Sequence, residues 1–211
     1  MLLTVRGSPG TFDLPPLSVR ADLQSVDPDA RTAELIFSTG AAVDRVDWWT
    51  GKRFREVLSM KPGHVRLERL NSGAPLLDSH SGFSISHQLG VVQRGTARLS
   101  KGQGLASVRF SKRAEVEPIF RDVQDGILGA VSVGYRVFRF EETVPKGEEI
   151  PTRLATDWEP FEVSLVPMPA DVGARVRDGD KTQTNACVIV RATADEDRLR
   201  RFRLARAWAR P

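Results

Sequence analysis

Cysteine, histidine and long apolar runs are scarce in this chain of 211 residues, and each shortage excludes something. A single cysteine, Cys187, leaves no partner for an intramolecular disulfide and too few thiols for a structural zinc site. His64, His80 and His87 are the whole imidazole supply, and no two of them are spaced to share a metal on one helical face. The HEXXH zinc motif, the glycine-rich phosphate loop ending in Gly-Lys-Ser/Thr and the dinucleotide fingerprint are all missing, so metalloenzyme, NTPase and nicotinamide-dependent readings lose their usual support. No cofactor and no metal are expected. No apolar run has the length of a bilayer span, and the opening MLLTVRGSPG has no apolar core of signal-peptide length. The expectation is an intracellular protein with no membrane partner.

Charge is nearly balanced: 31 Lys and Arg against 27 Asp and Glu, a formal +4. Residues 191–211 alone hold seven arginines against three acidic residues, which accounts for the whole excess and leaves residues 1–190 neutral. A neutral body with a basic tail is not the footprint of a domain that tracks phosphates over its surface, so nucleic acid is not the expected partner of the body. Of the four tryptophans, the pair Trp48 and Trp49 beside Lys52 and Arg53 is the best candidate for base stacking, but aromatic residues bordering strands more often belong to a core or an interface.

What is present is short segments rich in Val, Ile, Leu and aromatics, punctuated by Gly, Pro and Asn. Residues 1–30 read as an N-terminal extension, strand-like at MLLTVRG and then Pro-, Asp- and Ser-rich with little periodicity. Strands are expected at 33–38, 53–60, 64–70, 75–78, 90–100 and 105–111. In AEVEPIFRDVQDG the apolar Val116, Ile119, Phe120 and Val123 fall at i, i+3, i+4 and i+7, which predicts a helix with Pro118 in its first turn and Gly126 as its stop. Extended structure resumes after Ile127. Val131, Val133, Tyr135 and Val137 then share one face of a strand, while Ser132, Gly134 and Arg136 share the other. EETVPKGEEIPTR reads as a solvent-exposed hairpin or loop, and 158–166 as the last strand, ending in the turn VPMPAD. Residues 177–211 read as a polar linker followed by a basic amphipathic helix, in which Leu199, Phe202 and Ala205 form a stripe flanked by arginines. The fold class is α+β: a β-rich, barrel-like body with a few helices, occupying residues 31–176.

With so few His and Cys, the chemistry left open is nucleophilic catalysis by serine, or none. Three segments carry the case for catalysis. APLLDSHSG ends an apolar strand on His80, GILGAVSVGYRV sets Ser132 in a Gly-flanked strand after a helix, and WEPFEVSLVPMPADVGARV carries Glu162 before a turn with two prolines. In this order and spacing the segments resemble the prohead maturation proteases of tailed bacteriophages, whose fold is related to the herpesvirus assemblins. The resemblance covers roughly residues 64–176, and LGVV after the histidine and GLASVRFS before the helix add to it.

The resemblance implies a serine endopeptidase with Ser132 as nucleophile and His80 as general base. It points to Glu162 as the group that orients the imidazole, with His87 and Asp78 as competitors. Gly134 would allow close substrate approach near an oxyanion site, or mark a β-bulge. Ser164, two residues after Glu162 and on the same strand face, is expected to be structural, and Cys187 is a poor nucleophile candidate. The implied partners are the major capsid protein and its scaffold segment as substrates, with self-cleavage and self-association during assembly. The implied location is the host cytoplasm, inside the assembling prohead. Two rivals stand beside this reading: an inactive scaffold or assembly protein of the phage head, and a nucleic-acid-binding module that uses the arginine-rich tail.

Overall fold

A computed structural model describes residues 10–14, 17–47, 50–144, 147, 149–167 and 185–191 of the chain. The described elements are, in order, β1 (Gly10–Leu14), β2 (Leu17–Asp27), β3 (Thr32–Ser38), β4 (Val43–Val46), β5 (Arg53–Leu58), α1 (Glu68–Asn71), β6 (Pro75–Asp78), β7 (Gln88–Val92), β8 (Arg98–Ser100), β9 (Gln103–Phe110), α2 (Glu117–Gln124), β10 (Ala130–Thr143), β11 (Thr152–Leu165) and β12 (Asn185–Arg191). The protein is β-rich with few helices, which fits the expected α+β class.

Strand pairing follows a circuit. From β10 it runs through β2, β3, β9, β7 and β6 to β11, and β11 pairs antiparallel with β10. β5 and β4 extend from β11, β12 and β1 from β10, and β8 forms a hairpin with β9. Inside lies the apolar core, with Leu35, Phe37, Leu76, Val92, Val108 and Trp158 fully buried. Trp158 anchors it, with Phe37 and Tyr135 meeting its ring edge-on at 6.5 and 5.7 Å, while its indole N–H donates to Ser59 O at 3.0 Å.

α2 forms where the periodicity puts it. Val116, Phe120 and Val123 are buried on its apolar stripe. Gly126, at φ +73°, closes it as a left-handed cap: its N–H donates to Val123 O, and the next N–H, of Ile127, donates to Asp122 O. The 144–151 connection joins two antiparallel strands, so the expected hairpin is there, but β11 starts at Thr152 rather than 158.

Other expectations are corrected. Residues 64–70 are no strand: Val65 makes one bridge to Trp158, and the chain then turns into α1, burying Leu70. The Val65–Leu67 alternation was too short to outweigh the three-residue spacing of Leu67 and Leu70, which suits a helical turn. Residues 90–100 are two strands, because Gly95 at φ +74° and the Thr96 N–H to Gln93 O bond make a turn between β7 and β8. The stretch before residue 31 contains β2, which pairs with β10 and β3; its Leu17, Val19, Ala21, Leu23 alternation is diluted by polar neighbours. The stretch after 176 contains β12, with Cys187 and Ile189 in the core. Pairing therefore crosses both boundaries drawn at 30/31 and 176/177. The opening MLLTVRG, Trp48, Trp49, residues 168–171 of the VPMPAD turn and the expected basic helix within 198–210 lie outside the described residues.

Candidate active site

The β10–β11 ladder sets Ser132 opposite Ser164 and Gly134 opposite Glu162. Directly paired residues present their side chains to the same face of a sheet, and strand alternation then turns all four away from the core face that carries Val131, Val133, Val163 and Leu165. One irregularity makes this arrangement possible. After the Gly134–Glu162 pair, Tyr135 pairs with Pro160, so Phe161 is an extra residue on β11. Such a bulge switches the face presented by the residues on either side of it. Glu162 therefore looks outward, although Trp158, an even number of residues away, is buried in the core.

β6 runs parallel to β11 and delivers the histidine, with Asp78 paired to Leu165. The chain then turns at once: Ser79 N–H donates to Leu165 O at 2.9 Å, and Ser81 N–H to Asp78 O at 2.8 Å. Both central residues of the turn have positive φ, Ser79 at 49° and His80 at 62°, a conformation that non-glycine residues adopt at a cost. That turn brings His80 back over the Glu162–Ser164 face. Its Nδ1 lies 2.6 Å from Glu162 Oε1. An ionised carboxylate only accepts hydrogen bonds, so a bond to ionised Glu162 requires a ring proton on Nδ1 and leaves Nε2 out of that contact.

Ser164 completes the cluster. Its Oγ donates to Glu162 Oε2 at 2.6 Å and accepts the His80 N–H at 3.1 Å. Glu162 is 4% exposed and Ser132 and Ser164 are fully buried, whereas the His80 side chain keeps 35% of its surface exposed, making it the solvent-facing member. Gly134 is neither left-handed nor open to an approaching group. A Cβ there would stand 2.2 Å from Glu162 Oε1, so the missing side chain is the space that the carboxylate fills.

The remaining candidates fall elsewhere. His64 Nδ1 is 2.8 Å from the buried Ser59 Oγ, and His87 ends a short 3-10 turn, Ile85–His87. Asp78 is exposed at the end of β6. The Cys187 thiol is in the core, where burial pushes its pKa up to about 12, which suits no nucleophile at neutral pH. Among the described residues no three or more His, Cys, Asp and Glu side chains gather as metal ligands would, and no helix is long and apolar enough to cross a membrane. Two features of the site escaped the sequence reading: Ser164 bridging Glu162 and the His80 backbone, and Gly134 as room for a carboxylate. The shared strand face of Glu162 and Ser164 was the available signal for the first.

The fold and this cluster define a β-rich α+β domain that gathers serine, histidine and glutamate side chains on two adjacent strands and one strained turn. The model of the caudovirus prohead serine protease family matches residues 23–186, and the chain belongs to that family. A major capsid protein of Halomonas phage phiHAP-1 is 37% identical over 153 residues, covering 72% of this chain. The match takes in 24% of that relative, so the chain spans about a quarter of its length. No solved structure matches the chain.

Proposed function

We propose that the chain is a serine endopeptidase of prohead maturation, with Ser132 as nucleophile, His80 as general base and Glu162 as the group that orients and stabilises the imidazole. The 2.6 Å bond between His80 Nδ1 and Glu162 Oε1 carries the reading, supported by the register that sets Ser132 beside Ser164 on the same face. It also favours Glu162 over Asp78 and His87 as the third group. His80 Nε2 takes the Ser132 hydroxyl proton as Oγ bonds to the peptide carbonyl carbon. The tetrahedral intermediate collapses to an acyl-enzyme as the C–N bond breaks, and His80 passes the proton to the departing amine. Water repeats the sequence to release the acid. Glu162 supplies the negative charge that steadies the imidazolium at both stages. Because Ser132 is fully buried, the surrounding chain must open before any substrate or probe reaches its hydroxyl.

The capsid protein with its scaffold segment is the proposed substrate, followed by the chain itself. Family membership supports this, as does a relative that is itself named a major capsid protein. Action inside the assembling prohead in the host cytoplasm, self-association during assembly and an assemblin-like fold belong to the same proposal. The relative's name favours one alternative, an assembly module without activity. Co-expression with the capsid protein of the same phage separates the two. Trimmed capsid protein with the unaltered chain and intact capsid protein with Ser132→Ala support the protease, and no trimming with either supports the assembly module.

A further inference from the structure

We propose that Ser164 is a positioning residue for the catalytic pair, holding the Glu162 carboxylate and the His80 backbone in register with each other. The proposal rests on the reading of His80 and Glu162 as catalytic partners. A backbone N–H can only donate, so the 3.1 Å contact from His80 N uses a lone pair of Ser164 Oγ, and the hydroxyl proton goes to Glu162 Oε2 at 2.6 Å. One buried hydroxyl thus holds one catalytic partner by its side chain and the other by its main chain.

Both partners need such a hold. Glu162 presents Oε1 to the imidazole and Oε2 to the Ser164 hydroxyl, while the absent Gly134 side chain gives the carboxylate its space without fixing its rotation. His80 sits at φ +62°, a backbone state that persists only where the surroundings over-determine it, and its own N–H is tied to Ser164. A residue that merely filled space on β11 would need no hydroxyl, and with the proton and a lone pair both committed, Ser164 is no rival nucleophile.

The test uses the full chain and a fluorophosphonate probe, which reacts with an activated serine without any knowledge of the natural substrate. Ser164→Ala is expected to slow labelling by about 10- to 100-fold, the loss typical of a displaced catalytic group. Ser164→Thr and Ser164→Val have the same shape and differ only in the hydroxyl, so the proposal predicts at least about tenfold faster labelling for Thr than for Val. In the proton NMR spectrum, the downfield Nδ1–H signal of His80 is expected to shift and exchange faster with solvent in the Ala and Val variants, and to stay near its normal position with Thr. Equal labelling by the Thr and Val variants, with the His80 signal unmoved in Ala, overturns the proposal. Failure of the underlying reading looks different: Ser132→Ala would still be labelled at the normal rate, whatever residue stands at 164.

Discussion

At the scale of single residues, the site depends on two small ones. Gly134 has no side chain because Glu162 fills the space where one would stand. Gly134→Ala is expected to displace the carboxylate from His80, lowering the rate of serine labelling about 100-fold and stability by about 1–3 kcal/mol through overpacking, measured by probe kinetics and thermal melting on the same sample. Glu162→Gln keeps the shape but removes the charge proposed to fix the tautomer and steady the imidazolium. A fall in kcat of about 10³- to 10⁴-fold, with KM little changed, is the predicted result. The order and spacing of three motifs, each weak alone, singled out His80, Ser132 and Glu162 in the sequence, and the structure puts His80 and Glu162 in contact. The tie between Ser164 and the His80 backbone was not readable, because it joins residues 84 apart through a turn whose positive φ values no residue type in Ser79–His80 advertises.

At the scale of elements, the bulge at Phe161 matters most. It lets one strand bury Trp158 in the core and still present Glu162 to the opposite face. A strict period of two over 158–166 puts both on one side, so alternation alone could locate the strand but not the facing of its carboxylate. α2 was legible because its stripe and its glycine stop are local. The division of 90–100 into β7 and β8 hung on one left-handed glycine inside an apolar run. Next to the bulge, Tyr135 points the other way from Gly134 and donates to Glu56 Oε2 at 2.6 Å, while Arg45 Nε bonds the same carboxylate oxygen at 2.9 Å. Burial, with the Glu56 charge beside it, holds the Tyr135 phenol well above its ordinary pKa, so it stays a donor at any working pH. Tyr135→Phe removes that donor from a buried carboxylate and is expected to lower stability by about 1–3 kcal/mol, read as a reduced denaturant midpoint. An unchanged midpoint would show that the remaining Arg45 bond satisfies Glu56 alone.

At the scale of the whole molecule, the sheet is built from both ends of the chain. β2 lies against one edge of β10, and further along that strand β12 adds parallel to it. The polar look of residues 177–186 hid β12, whose apolar run ACVIV is only five residues long and follows a stretch with linker composition. Ending the chain after 176 removes Ile189 and Cys187 from the core and leaves β1 without its partner strand. Burial of an Ile side chain alone is worth about 1.5–3 kcal/mol, so the melting temperature is expected to fall by about 10 °C, whereas ending it after Arg191 removes none of the described strands and should cost far less. The formal +4 lies within residues 191–211, and residues 1–190, which carry the site, are neutral.

Ser132, served by His80 and Glu162, is proposed to cut peptide bonds of the capsid protein. Co-expression with that capsid protein, followed by intact-mass spectrometry of both chains, tests it most directly. A trimmed capsid protein is expected with the unaltered chain, and full-length capsid protein with Ser132→Ala and with His80→Ala. Trimming at the same sites in the Ser132→Ala sample would contradict it.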